Sequence, residues 1–327
     1  MVWIKFIASA VVIVIAANYL AKYGDALAIR TRLGGMFVGV LLMAGATSLP
    51  EVLTSISAVS QQTPGIAAGN LLGSNGFNML LLAVLDLINR KQRLLRKAAR
   101  RHALSGSLAI LMIALVLYFM LADIKIKLGW VGLDSLIIIA VYILAVRLIS
   151  RDNTSPAAAV EEDIPAGTPK LWAAIAGFLA AAGVLIAITP VMVRGASEIA
   201  AITGLGTTFI GTTLVALVTS LPEVVTTIAA LRIGASDMAI GNLFGSNMFN
   251  MFALGLTDLF YTNGRFLAAI DPAFLIVGML GLLMTVVGLV GNLARIEKRL
   301  WIIEIDSLAL FIIYISGLWL LYQKGIG

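Results

Sequence analysis

The stretch "ATSLPEVLTS" (residues 46–55) puts a proline, a glutamate and four hydroxyl side chains into ten residues of an otherwise apolar chain. A second stretch, "VTSLPEVVTT" (218–227), repeats it almost residue for residue. The surroundings decide how to read them. Of the 327 residues, 60% are hydrophobic and only 12% charged. The apolar residues fall in runs of about twenty, the length that crosses a hydrocarbon layer roughly 30 Å thick. Long runs without polar alternation select helices over a barrel, because backbone groups in lipid must be satisfied within the segment. The expected fold class is therefore an all-α polytopic membrane protein.

The run from Trp3 to Leu20 reads as a first membrane helix rather than a signal peptide, since a strongly basic leader and a small-residue cleavage site are missing. With no cysteine, disulfides and thiolate chemistry are excluded. The single histidine, His102, sits in an arginine run and argues against a histidine metal site or triad. The net charge of +6 is a topology signal and not a nucleic-acid footprint. Arg90, Lys91, Arg93, Arg96, Lys97, Arg100 and Arg101 form a loop without acids, which marks 90–101 as cytoplasmic.

Candidate spans fall near 3–21, 36–60, 66–88, 103–121 and 129–149, and again near 171–193, 205–231, 236–260, 272–293 and 301–322. Between the sets lies the polar segment 150–170 with its three prolines. The predicted organisation is a first five-helix repeat over 1–149, a cytoplasmic linker over 150–170 and a second five-helix repeat over 171–327. The repeat is explicit: "TSLPEV" recurs at an offset of 172 residues (47 to 219), and "GNLLGSNGFNM" (69–79) matches "GNLFGSNMFNM" (241–251) in nine of eleven positions. Asp86 and Asp258, and Leu33-Gly34 and Leu205-Gly206, keep the same spacing. An odd number of helices per copy inserts the copies in opposite orientations. Ten transmembrane helices in two inverted repeats follow, with both termini outside the cell membrane. Inverted repeats with interrupted helices characterise secondary transporters, whose sites lie near the midplane.

Pro50 and Pro222 remove a helical hydrogen bond and leave the carbonyls of Ala46 and Val218 without it. Beside them stand Glu51 and Glu223, and carboxylates at this depth mark ion or proton pathways. Thr47, Ser48 and Thr54 share a helical face with Glu51, as Thr219, Ser220 and Thr226 do with Glu223. Asn70, Ser74 and Asn78 form a second polar line, matched by Asn242, Ser246 and Asn250. Gly69, Gly73, Gly241 and Gly245 run alongside as small-residue strips that let helices approach closely. No lysine or arginine in these helix interiors neutralises either glutamate, so a cation or a proton must. The donors are all hard oxygens, which suits calcium, sodium or magnesium. Two carboxylates and several neutral oxygens approach the six to eight ligands of calcium, which ranks above rigidly octahedral magnesium.

"TSLPE" followed by "GNxxGSNxxN", in two copies, resembles the sodium/calcium exchanger family of the cation/calcium antiporter superfamily, in its short prokaryotic form. The resemblance implies a site between the second, third, seventh and eighth helices. It implies calcium ligation by Glu51 and Glu223 with the backbone of Thr47 and Thr219. Sodium sites would involve Ser48, Ser74, Ser220 and Ser246, with Asn78 and Asn250 nearby. Access would alternate as the first and sixth helices slide across the core. Two positions depart from the family, with Ala46 and Val218 standing where glycine is usual. Asparagine at 250, where potassium-dependent relatives carry aspartate, argues against potassium coupling.

The expected activity is antiport of Ca2+ against Na+, with no cofactor and no enzymatic step. The partners expected are the transported cations and the lipid bilayer, with neither nucleic acid nor a protein partner. Proton/calcium antiport, or exchange of another divalent cation, uses the same scaffold. A hydrolase built on Ser48 or Ser220 lacks a histidine or lysine base, and a passive channel would lack counter-ion coupling. A linker of about twenty residues holds no calcium-sensing domain. Asp86, four residues before Arg90, reads as a local ion pair or interface position, and Trp3, Trp130, Trp172, Trp301 and Trp319 as interfacial anchors.

Overall fold

In the computed structural model the described residues are 1–31, 45–88, 102–152, 167–232, 236–294, 299–300 and 303–323. They are helical apart from turns and two short hairpins. The first half comprises α1 (Val2–Thr31), α2 (Leu49–Ser60), α3 (Pro64–Ile88), α4 (Ala103–Ala122) and α5 (Leu133–Asp152). The second begins with α6 (Leu171–Thr203), followed by α7 (Thr207–Ile210), a π-helical turn (Gly211–Val215), α8 (Ala216–Thr219) and α9 (Leu221–Arg232). It continues with α10 (Ser236–Thr257), α11 (Phe266–Ala269), α12 (Phe274–Ala294) and α13 (Ile305–Gln323).

Six of these helices are long and apolar enough to cross a membrane, and the bent pair Thr207–Thr219 with Leu221–Arg232 makes a seventh. Phe274–Val290 is a shorter apolar helix. The basic loop 90–101, residues 36–44 of the expected second span, most of the 150–170 linker and Trp301 lie outside the described residues. Trp3, Trp130, Trp172 and Trp319 are all exposed.

Two helices run about ten residues past their expected ends. α1 continues beyond residue 21 through Lys22, Asp25 and Arg30, and α6 beyond residue 193 through Arg194 and Glu198. An apolar run ends where lipid ends, but the backbone ladder persists wherever charged side chains can still point outward. α1 and α6 form the most extensive helix pair among the described residues. Phe6 packs on Gly195 near one end and Phe178 against Gly24 near the other, so the two helices run antiparallel.

α3 occupies the centre, packing against α12, α10, α2, α13 and the π-turn. Its glycine strip explains the last contact. A Cβ at Gly69 would lie 2.8 Å from the Gly211 carbonyl carbon, and one at Gly73 only 2.6 Å from the Thr212 carbonyl oxygen. Only glycine lets these backbones meet.

The internal repeat reaches further than its motifs. The hairpin β1 (Lys127–Leu128) with β2 (Val131–Gly132) recurs as β3 (Arg299–Leu300) with β4 (Ile303–Glu304), again 172 residues on. Each hairpin leads into its half's last helix through "DSL", at 134–136 and 306–308.

Candidate functional site

Both helices that carry the repeated motif break at its serine. Ser48 has φ −88° and ψ 6°, and Ser220 φ −86° and ψ 3°, outside the helical basin and in the sparsely allowed bridge region. The helix restarts one residue later in each case, with Val52 N donating to Ser48 O and Val224 N to Ser220 O, both at 3.3 Å. In the second copy the axis bends by 41°. Glu51 and Glu223 thereby fall in the first turns of α2 and α9, where the helix dipole favours a negative charge.

The breaks bring the two copies together. The Ser48 hydroxyl donates to Glu223 Oε1 at 2.8 Å, and the Ser220 hydroxyl to Glu51 Oε1 at 3.1 Å. Each serine thus serves the glutamate of the other half. Ser220 Oγ also lies 3.0 Å from Ser74 Oγ, and Ser246 donates to Glu223 Oε1 at 3.4 Å. The second carboxylate oxygen of each glutamate, Oε2, is buried without a hydrogen-bond partner. All ten expected residues, namely Thr47, Ser48, Glu51, Ser74, Asn78, Thr219, Ser220, Glu223, Ser246 and Asn250, are at most 1% exposed. Among the described residues no group of three or more His, Cys, Asp or Glu is placed to hold a metal ion, and the hydroxyls of Ser48, Ser220 and Ser246 donate to the two acids.

Asn70 ties the broken helices to α3. Its Nδ2 donates to Glu51 O and to Ser55 Oγ, each at 3.0 Å, while its Oδ1 accepts from Thr219 Oγ1 at 2.8 Å. Asn242, its counterpart, reaches Thr226 and Thr227. Asn78 and Asn250 donate to two asparagines not singled out from the sequence, Asn247 (3.0 Å) and Asn75 (3.1 Å). Each stands inside "GSN", three residues before the last asparagine of its own motif, but it bonds the matching asparagine of the other half.

Asp86 and Asp258 are interface positions. Asp86 Oδ2 accepts from Ser307 Oγ at the start of α13 (2.8 Å). Asp258 accepts from Gly132 N (2.7 Å) and Phe266 N (2.5 Å). The end of each half's third helix is thus held by the other half's last hairpin or helix. Arg90, the expected partner of Asp86, lies outside the described residues.

A family model described as sodium/calcium exchanger protein matches residues 1–150 and 173–323. The putative antiporter CaxA of Alkalimonas amylolytica is 26% identical over 246 residues, 75% of this chain and 76% of that protein. The sodium/calcium exchanger MaX1 of Methanosarcina acetivorans is 28% identical over 291 residues, covering 77% and 81%. Among solved structures, the H+/Ca2+ exchanger CAX superposes with a TM-score of 0.66 at 13% identity, covering 99% of this chain and 89% of that one. The match over both halves, together with a helical fold shared with a membrane transporter, establishes that this chain belongs to the sodium/calcium exchanger protein family.

Proposed function

We propose that this protein is a secondary active antiporter that exchanges Na+ for Ca2+ across the cell membrane. The observation carrying this reading is the reciprocal pair of hydrogen bonds, Ser48 to Glu223 and Ser220 to Glu51, with Oε2 of both glutamates unpartnered. Two buried carboxylates with no basic partner among the described residues form a site of formal charge −2. One calcium ion or monovalent ions neutralise that charge, but not both together, and this exclusion is what couples the two fluxes. A bound cation takes Oε2 of Glu51 and Glu223 and the backbone oxygens of Thr47 and Thr219. The hydroxyls of Ser48, Ser74, Ser220 and Ser246 turn their lone pairs inward, with Asn78 and Asn250 beside them.

In this reading the chain spans the membrane ten times, as inverted repeats over 1–149 and 171–327 joined by a cytoplasmic linker, with both termini outside. The α1/α6 pair, packed antiparallel, slides across the core to expose the site on alternate sides. The name and coverage of MaX1 support sodium as the driving ion. Reconstitution into proteoliposomes tests the proposal. An outward sodium gradient should drive calcium uptake, and uptake that survives Glu51→Gln or Glu223→Gln would refute it.

Proton/calcium antiport is the second reading, favoured by the same unpaired carboxylates, since a proton also neutralises a buried glutamate. Calcium uptake driven by a pH gradient without sodium would select it.

A further inference from the structure

Thr285, on α12 outside both repeated motifs, stands one hydrogen bond behind Asn247, the residue to which Asn78 donates. Its hydroxyl donates its single proton to Gly281 O at 2.7 Å, so Oγ1 is left to its neighbours as an acceptor only. Asn247 Nδ2 donates to that oxygen at 3.3 Å and to Asn75 O at 3.4 Å. With its amino group committed, Asn247 presents Oδ1 to Asn78, which must answer with its own Nδ2, at 3.0 Å. Asn78 Oδ1 is thereby directed away from Asn247 and is buried without a partner. Thr285, Asn247, Asn75 and Asn78 are each at most 1% exposed, so no solvent relaxes this set of hydrogen bonds.

The other half has the same asparagines without the lock. Asn250 Nδ2 donates to Asn75 Oδ1 at 3.1 Å, but Asn75 Nδ2 has no partner. The residue 172 positions before Thr285 is Ile113, buried and without a polar atom in its side chain. Turning both amides over would leave that hydrogen bond intact with donor and acceptor exchanged. In the first half the same rotation would set Asn247 Oδ1 against the carbonyl of Asn75 and cost a buried contact.

We infer that Thr285 is a positioning residue that, through Asn247, holds the Asn78 amide with its oxygen toward the cation site. An amide oxygen attracts a cation and an amide nitrogen repels it, so the lock makes Asn78 a fixed acceptor and leaves Asn250 free to turn. The inference rests on the antiport reading above and assigns it a residue beyond the site itself.

Thr285→Val keeps the volume and removes the acceptor, whereas Thr285→Ser keeps both hydroxyl bonds. In proteoliposomes Thr285→Val should raise the apparent KM for sodium, calcium or both by about fivefold, the scale of one neutral hydrogen bond, with little change in kcat. Thr285→Ser should restore the wild-type KM. In an Asn78→Ala background Thr285→Val should add nothing, because its effect passes through that amide. Asn247→Leu, which cuts the relay one link nearer, provides a second route should Thr285→Val fold poorly, and should show the same non-additivity. Unchanged KM values, additive effects, or no rescue by serine would overturn the positioning role while leaving antiport standing. Wild-type protein that shows no cation-driven calcium uptake overturns the antiport reading instead.

Discussion

The two halves of the site carry the same residues and use them differently. Glu223 Oε1 accepts from Ser48 and Ser246, whereas Glu51 Oε1 has Ser220, whose oxygen also lies against Ser74. Thr226 folds its hydroxyl back onto Pro222 O, while its counterpart Thr54 keeps a buried oxygen with no partner. Asn247 is anchored by Thr285 and Asn75 is not. Duplication supplies equal donor sets, but each copy packs against a different neighbourhood. A pseudo-symmetric site therefore has one half held more firmly than the other.

Substitutions of graded size break or sharpen this comparison. The largest effect belongs to the carboxylates themselves. Glu51→Gln and Glu223→Gln should each lower calcium transport by about a hundredfold or more, since charge in a water-excluded site is worth several kcal/mol. Equal losses in radiotracer uptake would mark the two acids as equivalent, and unequal losses would rank the halves.

Next comes the backbone contact between α3 and the π-turn. Gly73→Leu forces a side chain onto the Thr212 carbonyl and should destabilise the fold by about 1–3 kcal/mol. A fall in melting temperature of the detergent-purified protein measures it, and an unchanged melt would mean the contact yields freely.

The serines test the asymmetry directly. Ser220→Ala strips Glu51 of its serine donor and Ser74 of a neighbour, so it should raise the apparent KM for calcium by about tenfold. Ser48→Ala leaves Glu223 with Ser246, and about threefold is expected. Equal KM values for the two variants would contradict the unequal halves.

The smallest effect lies at the clasp away from the acids. Asp258→Asn keeps one acceptor for the backbone N–H groups of Gly132 and Phe266 and should cost about 1 kcal/mol of stability with transport kinetics intact. Thermal denaturation beside flux assays separates the two.

Much of the candidate site was legible in the sequence because the chemistry is local. A proline followed by a glutamate in an apolar run announces an interrupted helix with a buried acid, and a second copy at a fixed spacing announces its partner. All ten residues drawn from the two motifs are buried, and hydrogen bonds join Ser48 and Ser246 to Glu223 and Ser220 to Glu51 and Ser74. The ends of α1 and α6 were misjudged, since hydropathy reports the width of the lipid layer and not the length of a helix. The hairpins kept the 172-residue spacing, but their shared "DSL" is too short to stand out without a contact to explain it.

What the sequence determined by itself was the helical membrane class and the paired motifs whose prolines mark broken helices, because composition, spacing and proline chemistry act over a few neighbouring residues. The tertiary structure alone decided that each serine serves the opposite glutamate and that Asp86 and Asp258 reach across to the other half. It also decided that Thr285, far from either motif, accepts a hydrogen bond from Asn247. These are pairings between residues some 40 to 220 positions apart. Nothing in the spacing of a helix specifies which distant neighbour its polar face will meet; packing does.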